Sequence, residues 1–311
     1  MTLDQLRIFV AVAEHEHMTR AAHHLNLTQS ATSAAIAALE NRYATKLFDR
    51  VGRRIALTEA GRLFLVEAHA VLARAATAEA VLADLAGLTR GTIRIAASQT
   101  VGNYWLPPII QRFRSIHSGV ALKLTLGNTE TVATAVREGS AELGFIEGDI
   151  DDPALAIRPI ATDQMVLVAP RGHPWTLAPP KSVDDLRTAH WVCRERGSGT
   201  RAALEAVLPT LGLNREAMES ALELPSNEAI CAAVEAGAGV TILSSHVVRR
   251  ALEAGSLISI DIQLPSRSFF LLRHKERYVT KASTEFQRLT IASADGGSTP
   301  GHPAPERTLG T

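Results

Sequence analysis

The sequence of 311 residues predicts an all-α module at the N-terminus, one long helix after it, and a C-terminal α/β region of two lobes. Three observations lead to this fold class. Apolar residues recur at helical spacing through residues 1–57. A 4-3 apolar spacing runs through residues 58–90. From residue 91 to residue 291, short apolar runs alternate with helical stretches, which indicates an α/β fold with a largely parallel sheet.

In the N-terminal module, an apolar stripe predicts a first helix over about residues 3–15. The stripe consists of Leu6, Phe9, Val10 and Ala13. Thr19 is expected to cap a second short helix, and Asn26 suits a left-handed turn after it. A third helix is expected to begin at Thr28 or Gln29 and to bury Ile36 and Leu39. The runs 47–50 and 54–57 predict a hairpin with a basic tip at 51–53.

The long helix is expected to begin after Thr58 and to end near Gly87. Its a/d positions predict a dimerisation seam. The seam residues are Phe64, Ala68, Val71, Ala75, Ala78, Leu82 and Leu85. The alternative is an amphipathic helix that packs on its own domain.

The α/β region is expected to form lobe I from about 91–162 and 268–291, and lobe II from about 163–267. Its predicted strands are 92–97, 121–126, 143–146, 165–169, 191–194, 222–224, 240–243 and 269–273. Residues 292–311 are rich in Gly and Pro with little that is bulky, which predicts a disordered tail.

The composition excludes several classes of protein. Apolar residues make up 46% and charged residues 21%, as in ordinary globular chains. Two cysteines exclude a disulfide-rich scaffold, and the eleven histidines show no metal-ligand spacing, so we expect no metal and no cofactor. No export signal and no apolar run of membrane length is visible, so we expect a cytoplasmic protein that binds no membrane.

A short helix, an Asn-containing turn and a longer helix form the outline of a helix-turn-helix, whose second helix enters the major groove of DNA. Gln can pair with adenine, and Ser or Thr can serve several bases. The predicted base-facing residues are Thr28, Gln29, Ser30, Thr32 and Ser33. Arg50, Arg53 and Arg54 are expected at phosphates or in the minor groove. Residues 1–57 carry seven basic against five acidic side chains, so their net charge alone is weak evidence for DNA binding. The alternative for these arginines is a solvated loop.

Several runs carry a specific resemblance. They are 21–22, Leu25-Asn26-Leu27-Thr28-Gln29-Ser30-Ala31-Thr32-Ser33, 36–40, Leu47-Phe48-Asp49-Arg50, Arg54 and 57–61. Together they resemble the winged helix-turn-helix of LysR-type transcriptional regulators, over about residues 1–291. The resemblance implies a homodimer or homotetramer on an interrupted palindrome of double-stranded DNA, with RNA polymerase as a further partner. It also implies a C-terminal effector domain similar to type 2 periplasmic binding proteins. Many members have Pro where this chain has Ser30.

Polar residues follow predicted strands at three places, where a cleft between two lobes binds ligands. The candidate effector residues are Ser98, Gln99, Thr100, Glu147, Ser198, Thr200, Ser226 and Asn227. For each hydroxyl alone, a plain helix N-cap is the alternative. Glu147 is expected either to accept a proton-bearing ligand or to pair with Arg196.

Within the family, the runs 97–104, 144–148, 194–201 and 227–230 look like the sulfur-assimilation and sulfite-responsive branch, with CysL- and CysB-like members. This resemblance implies that Ser98, Thr100 and Thr200 hold a small oxyanion, although Val101 stands where some relatives use Gln. An organic metabolite is the alternative ligand. An enzyme or a binding protein without a DNA role is disfavoured, because Ser198 lacks a histidine in its segment and Asp149, Asp151 and Asp152 fall in a loop.

Overall fold

The computed structural model describes residues 1–51, 54–85, 91–178, 180, 183–213 and 222–295. The N-terminal module contains α1 (Leu3–His15), α2 (Met18–His24) and α3 (Gln29–Tyr43). Two antiparallel strands follow, β1 (Phe48–Val51) and β2 (Arg54–Leu57). The expected helix-turn-helix and hairpin are therefore confirmed.

Local signals set the helix ends in this module. Asn26 adopts the left-handed conformation, with φ of 55°, as the sequence predicted. The Thr28 hydroxyl accepts from the amide of Ala31 at 3.2 Å and so caps α3. The prediction that Thr19 caps α2 is wrong. The imidazole Nδ1 of His17 accepts from the Thr19 amide at 3.2 Å, so the cap lies two residues earlier.

The core of the module is built around Phe9. Its ring centroid lies 5.4 Å from that of Phe48 and 4.8 Å from that of Phe64. Ile36 and Leu39 of α3 are buried in the same core, and so is Ala68, which has no exposed surface. The assignment of Ala68 to a dimer seam is therefore wrong, because its side chain is buried within its own chain, whereas Phe64 is half-buried and its place in a seam stays a prediction.

The long helix α4 spans Glu59–Leu85. Thr58 caps it as expected, since its hydroxyl accepts from the amide of Gly61 at 2.9 Å. One face of α4 stays exposed: Leu63 is 67%, Val71 41% and Leu82 68% accessible. Of the other predicted seam residues, Ala78 is exposed and Ala75 half-buried, whereas the side chain of Leu85 lies outside what the structure describes, as does the expected helix end at Gly87.

The α/β region begins with a strand, a turn of π-helix at Val101–Trp105 and a helix. Up to the middle of the region its elements are β3 (Gly91–Ser98), α5 (Leu106–Ile116), β4 (Val120–Gly127), α6 (Thr129–Glu138), β5 (Leu143–Glu147), β6 (Leu155–Pro170), α7 (Val183–Arg187) and β7 (Val192–Arg194). The remaining elements are α8 (Gly199–Val207), β8 (Leu222–Leu224), α9 (Asn227–Glu235), β9 (Thr241–Ser244), α10 (Ser245–Ala254), β10 (Leu257–Ile260), β11 (Ser266–His274) and α11 (Lys281–Asp295). Short 3-10 turns lie at Pro174–Thr176 and Leu208–Leu211. The sequence missed β10 and the first half of β6.

In the described residues, seven strands form one sheet in the order β10-β6-β11-β5-β3-β4, with β9 also paired to β6. Strand β3 runs parallel to β4 and β5, whereas β11 is antiparallel to β5 and β6, and β9 and β10 are antiparallel to β6. The expectation of a largely parallel sheet is therefore wrong. The chain crosses from lobe I to lobe II in β6 and returns in β11, so these two paired strands must run in opposite directions.

Each lobe has its own hydrophobic core on either side of this crossing. Ile160 of β6 lies in the core of lobe I with Ile95 and Phe145, whereas Leu167 lies in that of lobe II with Trp191. Helix α11 packs on lobe I through Phe286 and continues to Asp295, so residues 292–295 are helical rather than part of a tail. The rest of the expected tail, residues 296–311, lies outside the described residues. None of the described helices combines the length and the apolar character that a membrane span requires.

Candidate functional site: an exposed helix start and a buried interlobe network

The start of α3 offers polar side chains to solvent. Thr28, Gln29 and Ser30 are exposed, and Ser33 one turn later is half-buried. Thr32 has no exposed surface, and its hydroxyl donates to the Thr28 carbonyl at 3.1 Å. The prediction that Thr32 contacts a base is therefore wrong, because its position on the helix faces the core.

The hairpin beside α3 is held by a charged residue that the sequence did not single out. Glu40 is buried, and its carboxylate accepts from the amides of Leu47 and Phe48 at 2.8 and 3.2 Å and from Lys46 Nζ at 2.8 Å. Burial raises the pKa of Glu40, but these bonds outweigh it and hold the pKa below its ordinary value. Arg53 and the side chains of Arg50 and Arg54 lie outside the described residues, so their DNA contacts stay a prediction.

The second site lies between the lobes and is centred on Glu147, the last residue of β5. Its side chain is 1% exposed. Ser98, at the end of the neighbouring strand β3, donates its hydroxyl to one carboxylate oxygen, and Thr200 of α8 donates to the other at 3.3 Å. The expected pairing of Glu147 with Arg196 is wrong, because the carboxylate faces these hydroxyls and Arg196 is exposed.

The network continues from Thr100 into lobe II. The Thr100 hydroxyl lies 3.4 Å from that of Thr200 and accepts from Asn227 Nδ2 at 3.1 Å. The Asn227 side-chain oxygen accepts from Arg194 Nη1 at 2.9 Å. Arg194 in turn donates to both oxygens of Glu195, at 2.7 and 2.8 Å. Burial raises the pKa of Glu195, but the bonds from Arg194 dominate and lower it.

The other predicted effector residues have structural partners. Ser198 caps α8 by accepting from the Thr200 amide at 3.2 Å, and Ser226 caps α9 by accepting from the Ala229 amide at 3.0 Å. Gln99 joins the lobes, since its Nε2 donates to the Pro225 carbonyl at 3.0 Å and its oxygen accepts from the Asn227 amide at 3.1 Å.

Two residues of the network were absent from the predicted set. The Thr129 hydroxyl donates to the Glu147 carbonyl at 2.7 Å and accepts from the amide of Gly199 at 3.1 Å. Thr129 follows β4 as Ser98 follows its strand, so the same signal identifies it. Arg194 is 2% exposed and ends a buried strand, an unusual place for a charge. Gly199 is required at its position, because a Cβ there would lie 2.1 Å from the Glu147 carbonyl oxygen.

The network presents hydroxyl and amide donors together with one carboxylate acceptor. An open groove of about 970 Å³ reaches it at Thr129, Ser198 and Gly199, which gives a small solute a route to its edge. Within the described ranges, no three His, Cys, Asp or Glu side chains are grouped to hold a metal ion. The arrangement suits binding of a small polar ligand.

Comparison with known families gives two matches that together span most of the chain. Residues 3–62 match the model of the bacterial regulatory helix-turn-helix proteins of the lysR family. Residues 86–294 match the LysR substrate binding domain.

Curated relatives match over nearly their full length. The chain is 35% identical to the HTH-type transcriptional regulator YeiE of Escherichia coli K12 over 92% of this chain and 96% of that protein. It is 33% identical to the HTH-type transcriptional regulator CysL of Bacillus subtilis over 90% and 91%, which agrees with the expected CysL-like branch. It is 32% identical to the RuBisCO operon transcriptional regulator of Allochromatium vinosum over 94% and 97%.

Solved structures share the fold. CbnR, described as a LysR family transcriptional regulator, superposes with a TM-score of 0.69 at 22% identity over 94% of this chain and 99% of that one. The structure of CbnR complexed with its target DNA superposes with a TM-score of 0.67 at 22% identity, over 94% of this chain and 100% of that one. The regulatory domain of CcmR from Synechocystis PCC6803, in complex with 2-PG, superposes with a TM-score of 0.59 at 24% identity. This match covers 67% of this chain and 99% of that one.

Proposed function

This chain belongs to the LysR family of DNA-binding transcriptional regulators, which are not enzymes, and from that premise we propose that its cleft senses a small oxyanion that carries one proton. Hydrogen sulfite is the first candidate, because the cleft sequences resemble the sulfur-assimilation branch of the family. We propose residues 1–57 as the DNA-binding domain, 58–90 as the linker and 91–291 as the effector domain, in a cytoplasmic homodimer or homotetramer. DNA with an interrupted palindrome and RNA polymerase are its proposed partners.

The observation that carries this proposal is the buried carboxylate of Glu147 among neutral donors. Ser98, Thr100, Thr200 and Asn227 can donate to ligand oxygens, whereas Glu147 can only accept while it is ionised. A ligand with an acidic proton donates a hydrogen bond through that proton to Glu147. Its oxygens accept hydrogen bonds from the hydroxyl and amide donors. A fully deprotonated dianion such as sulfate meets the carboxylate with like charge, which is costly at a buried site.

The ligand acts through the lobes in this proposal. Ser98, Thr100 and Glu147 belong to lobe I, whereas Thr200 and Asn227 belong to lobe II, so a ligand bonded to both groups favours one arrangement of the lobes. That arrangement changes the spacing of the paired DNA modules. Ligand and DNA affinities are then coupled reciprocally, typically by about 1–3 kcal/mol.

Titration calorimetry of the full chain tests the ligand. We expect heat with sulfite that is stronger at the pH where hydrogen sulfite predominates. With sulfate or thiosulfate we expect little heat that depends on Thr100 and Thr200. Thr100→Ala and Thr200→Ala should each weaken binding by about tenfold, since each loses a hydrogen bond. Thr125→Ala, at an exposed position on β4, is the matched control and should bind as the parent does. Tighter binding of sulfate than of sulfite, seen as heat that Thr100→Ala removes, contradicts the proposal.

An organic effector is the second candidate. Relatives include a RuBisCO operon regulator, and a structural neighbour is described in complex with 2-PG. The same titration therefore includes inorganic phosphate, O-acetylserine and a phosphorylated organic acid. If an organic compound gives heat that Thr100→Ala removes and raises the melting temperature, while sulfite gives no heat, the oxyanion proposal is withdrawn and the assignment as a regulator stands.

A further inference from the structure

A small cavity of about 30 Å³ lies where α4 meets lobe I, on the side where β5 begins at Leu143, whereas the cleft residue Glu147 ends that strand. Helix α4 contributes Ala73 and Thr77 to its wall. Lobe I contributes three arginines: Arg94 of β3, Arg273 of β11 and Arg277 of the segment after it. Arg74 of α4 lies close enough to Arg277 and His274 to act on both electrostatically. This set of four arginines is called the junction cluster below.

The bonds of the junction cluster leave it with excess positive charge. Arg277 donates Nη1 to the Val136 carbonyl at 2.6 Å and Nη2 to the Arg137 carbonyl at 2.8 Å, so it caps the end of α6 without neutralising itself. Arg273 has one long bond, to the His274 carbonyl at 3.5 Å. Arg94 faces the carboxylate of Glu142 at 3.3 Å. Among the described residues, Arg74 has no hydrogen-bond partner.

The other carboxylates at the rim are already engaged. Asp84 accepts from the Tyr278 hydroxyl at 3.0 Å and from the Lys281 amide at 2.9 Å. Asp152 is paired with Arg137 at 3.0 Å. Among the described residues, Glu142 and the exposed Glu276 are thus the carboxylates left to four guanidinium groups, and Glu142 also accepts from Ser283 at 3.0 Å.

The neighbouring charges repel one another. Burial lowers the pKa of Arg277, and the charges of Arg74 and Arg94 lower it further. An anion between these groups would offset that repulsion, because its negative charge attracts each guanidinium group. Guanidinium groups also bind tetrahedral oxyanions through two parallel hydrogen bonds.

We propose that the junction cluster binds a small tetrahedral oxyanion of the phosphate class. Its ligands would be Arg94, Arg273 and Arg277 on lobe I and Arg74 on α4. A bound anion would join the long helix to lobe I and so strengthen the connection between the effector domain and the DNA-binding domain. This site is separate from the interlobe cleft, and the inference does not depend on which effector the cleft takes.

Calorimetry of the full chain with inorganic phosphate, at constant ionic strength set with chloride, tests the site. Arg74→Gln and Arg273→Gln should each weaken phosphate binding by about tenfold, the effect of losing one charge-assisted hydrogen bond. Arg114→Gln, at an exposed position on α5, is the matched control and should leave affinity unchanged. Glycerol phosphate as a second titrant separates a free phosphate from the phosphate group of an organic ligand.

A background variant keeps the two sites apart. In Thr100→Ala/Thr200→Ala the cleft is impaired. Phosphate binding that persists in this variant and is weakened by about tenfold when Arg74→Gln is added supports the junction site. Three outcomes overturn it: no phosphate heat with the parent chain, equal loss in Arg74→Gln and Arg114→Gln, or loss in the cleft variant alone. Failure of sulfite to bind bears on the proposed function and not on this site.

Discussion

The hydroxyl of Thr200 in lobe II donates to a carboxyl oxygen of Glu147 in lobe I over 3.3 Å, so a buried carboxyl group forms part of the contact between the lobes. The same carboxylate accepts from Ser98 within lobe I. Glu147 therefore occupies the hydroxyl donors that the proposed oxyanion would need, and in this proposal its own charge selects among anions.

Glu147→Gln should change ligand selectivity. The amide has the shape of the carboxylate but carries no charge and can donate, so a deprotonated oxyanion is no longer repelled. We expect the ratio of sulfate to hydrogen sulfite dissociation constants to fall by about tenfold, the scale of one hydrogen bond to a charged group. Calorimetry at fixed pH measures the ratio. Glu130→Gln, at an exposed position beside the groove, is the control, and equal ratios in both variants would remove Glu147 from ligand selection.

Gln29→Ala should reduce sequence-specific DNA binding. The Gln29 side chain is exposed at the start of α3, where it can reach a base edge. The expected loss is about 1–3 kcal/mol at the cognate site, with little change on random DNA. Ser33→Ala should act in the same direction. Fluorescence anisotropy with both DNAs measures the effect, and Gln111→Ala on α5 is the control. Equal losses on cognate and random DNA would show that α3 does not read bases.

Arg53→Ala should weaken binding to cognate DNA and to random DNA by the same factor. A phosphate contact carries no sequence information, and its loss should flatten the dependence of log affinity on log salt by about one unit. Titrations over a series of salt concentrations measure the slope. An unchanged slope would leave Arg53 as a solvated loop residue.

Glu40→Gln should destabilise the N-terminal domain by about 1–3 kcal/mol, because bonds of a buried charged group are lost. The pKa of Glu40 is lowered in the folded chain, so its stabilisation is present above the ordinary glutamate pKa and disappears as pH falls through the lowered value. The melting temperatures of parent and variant should therefore differ at pH 7 and converge once the pH has fallen below the lowered pKa of Glu40. Glu59→Gln, whose side chain is 78% exposed, should melt like the parent. A difference that persists in acid would mean that the charge of Glu40 is not what matters.

Val71→Asp should separate the protomers if the exposed face of α4 forms the dimer contact. Val71 is 41% exposed in the single chain, and a carboxylate there would be buried unpaired in a dimer. Light scattering should give the mass of a monomer, and operator binding should fall because two half-sites are engaged together. Leu177→Asp, at a position 93% exposed in lobe II, is the control. A Val71→Asp protein that stays oligomeric would place the contact elsewhere.

Local patterns in the sequence determined the elements of this protein. The apolar stripe of α1, the left-handed Asn26 and the caps Thr28 and Thr58 all appear where spacing and side-chain chemistry predicted them. These features depend on residues within about one helical turn of each other, and that information is present in the order of residues.

Contacts between distant segments were decided only by the tertiary structure. Thr32 and Ala68 lie on faces that the packing of α1 and α3 buries, although their spacing fits a DNA surface and a seam equally well. The antiparallel pairing of β6 with β11 joins residues about 100 positions apart. Glu147 pairs with Ser98 and Thr200 rather than with Arg196 because strand neighbours and the closure of two lobes set which donors reach it. The sequence shows which polar groups need hydrogen-bond partners. The fold determines which partners they have, because a buried polar group can bond only to neighbours within hydrogen-bond distance.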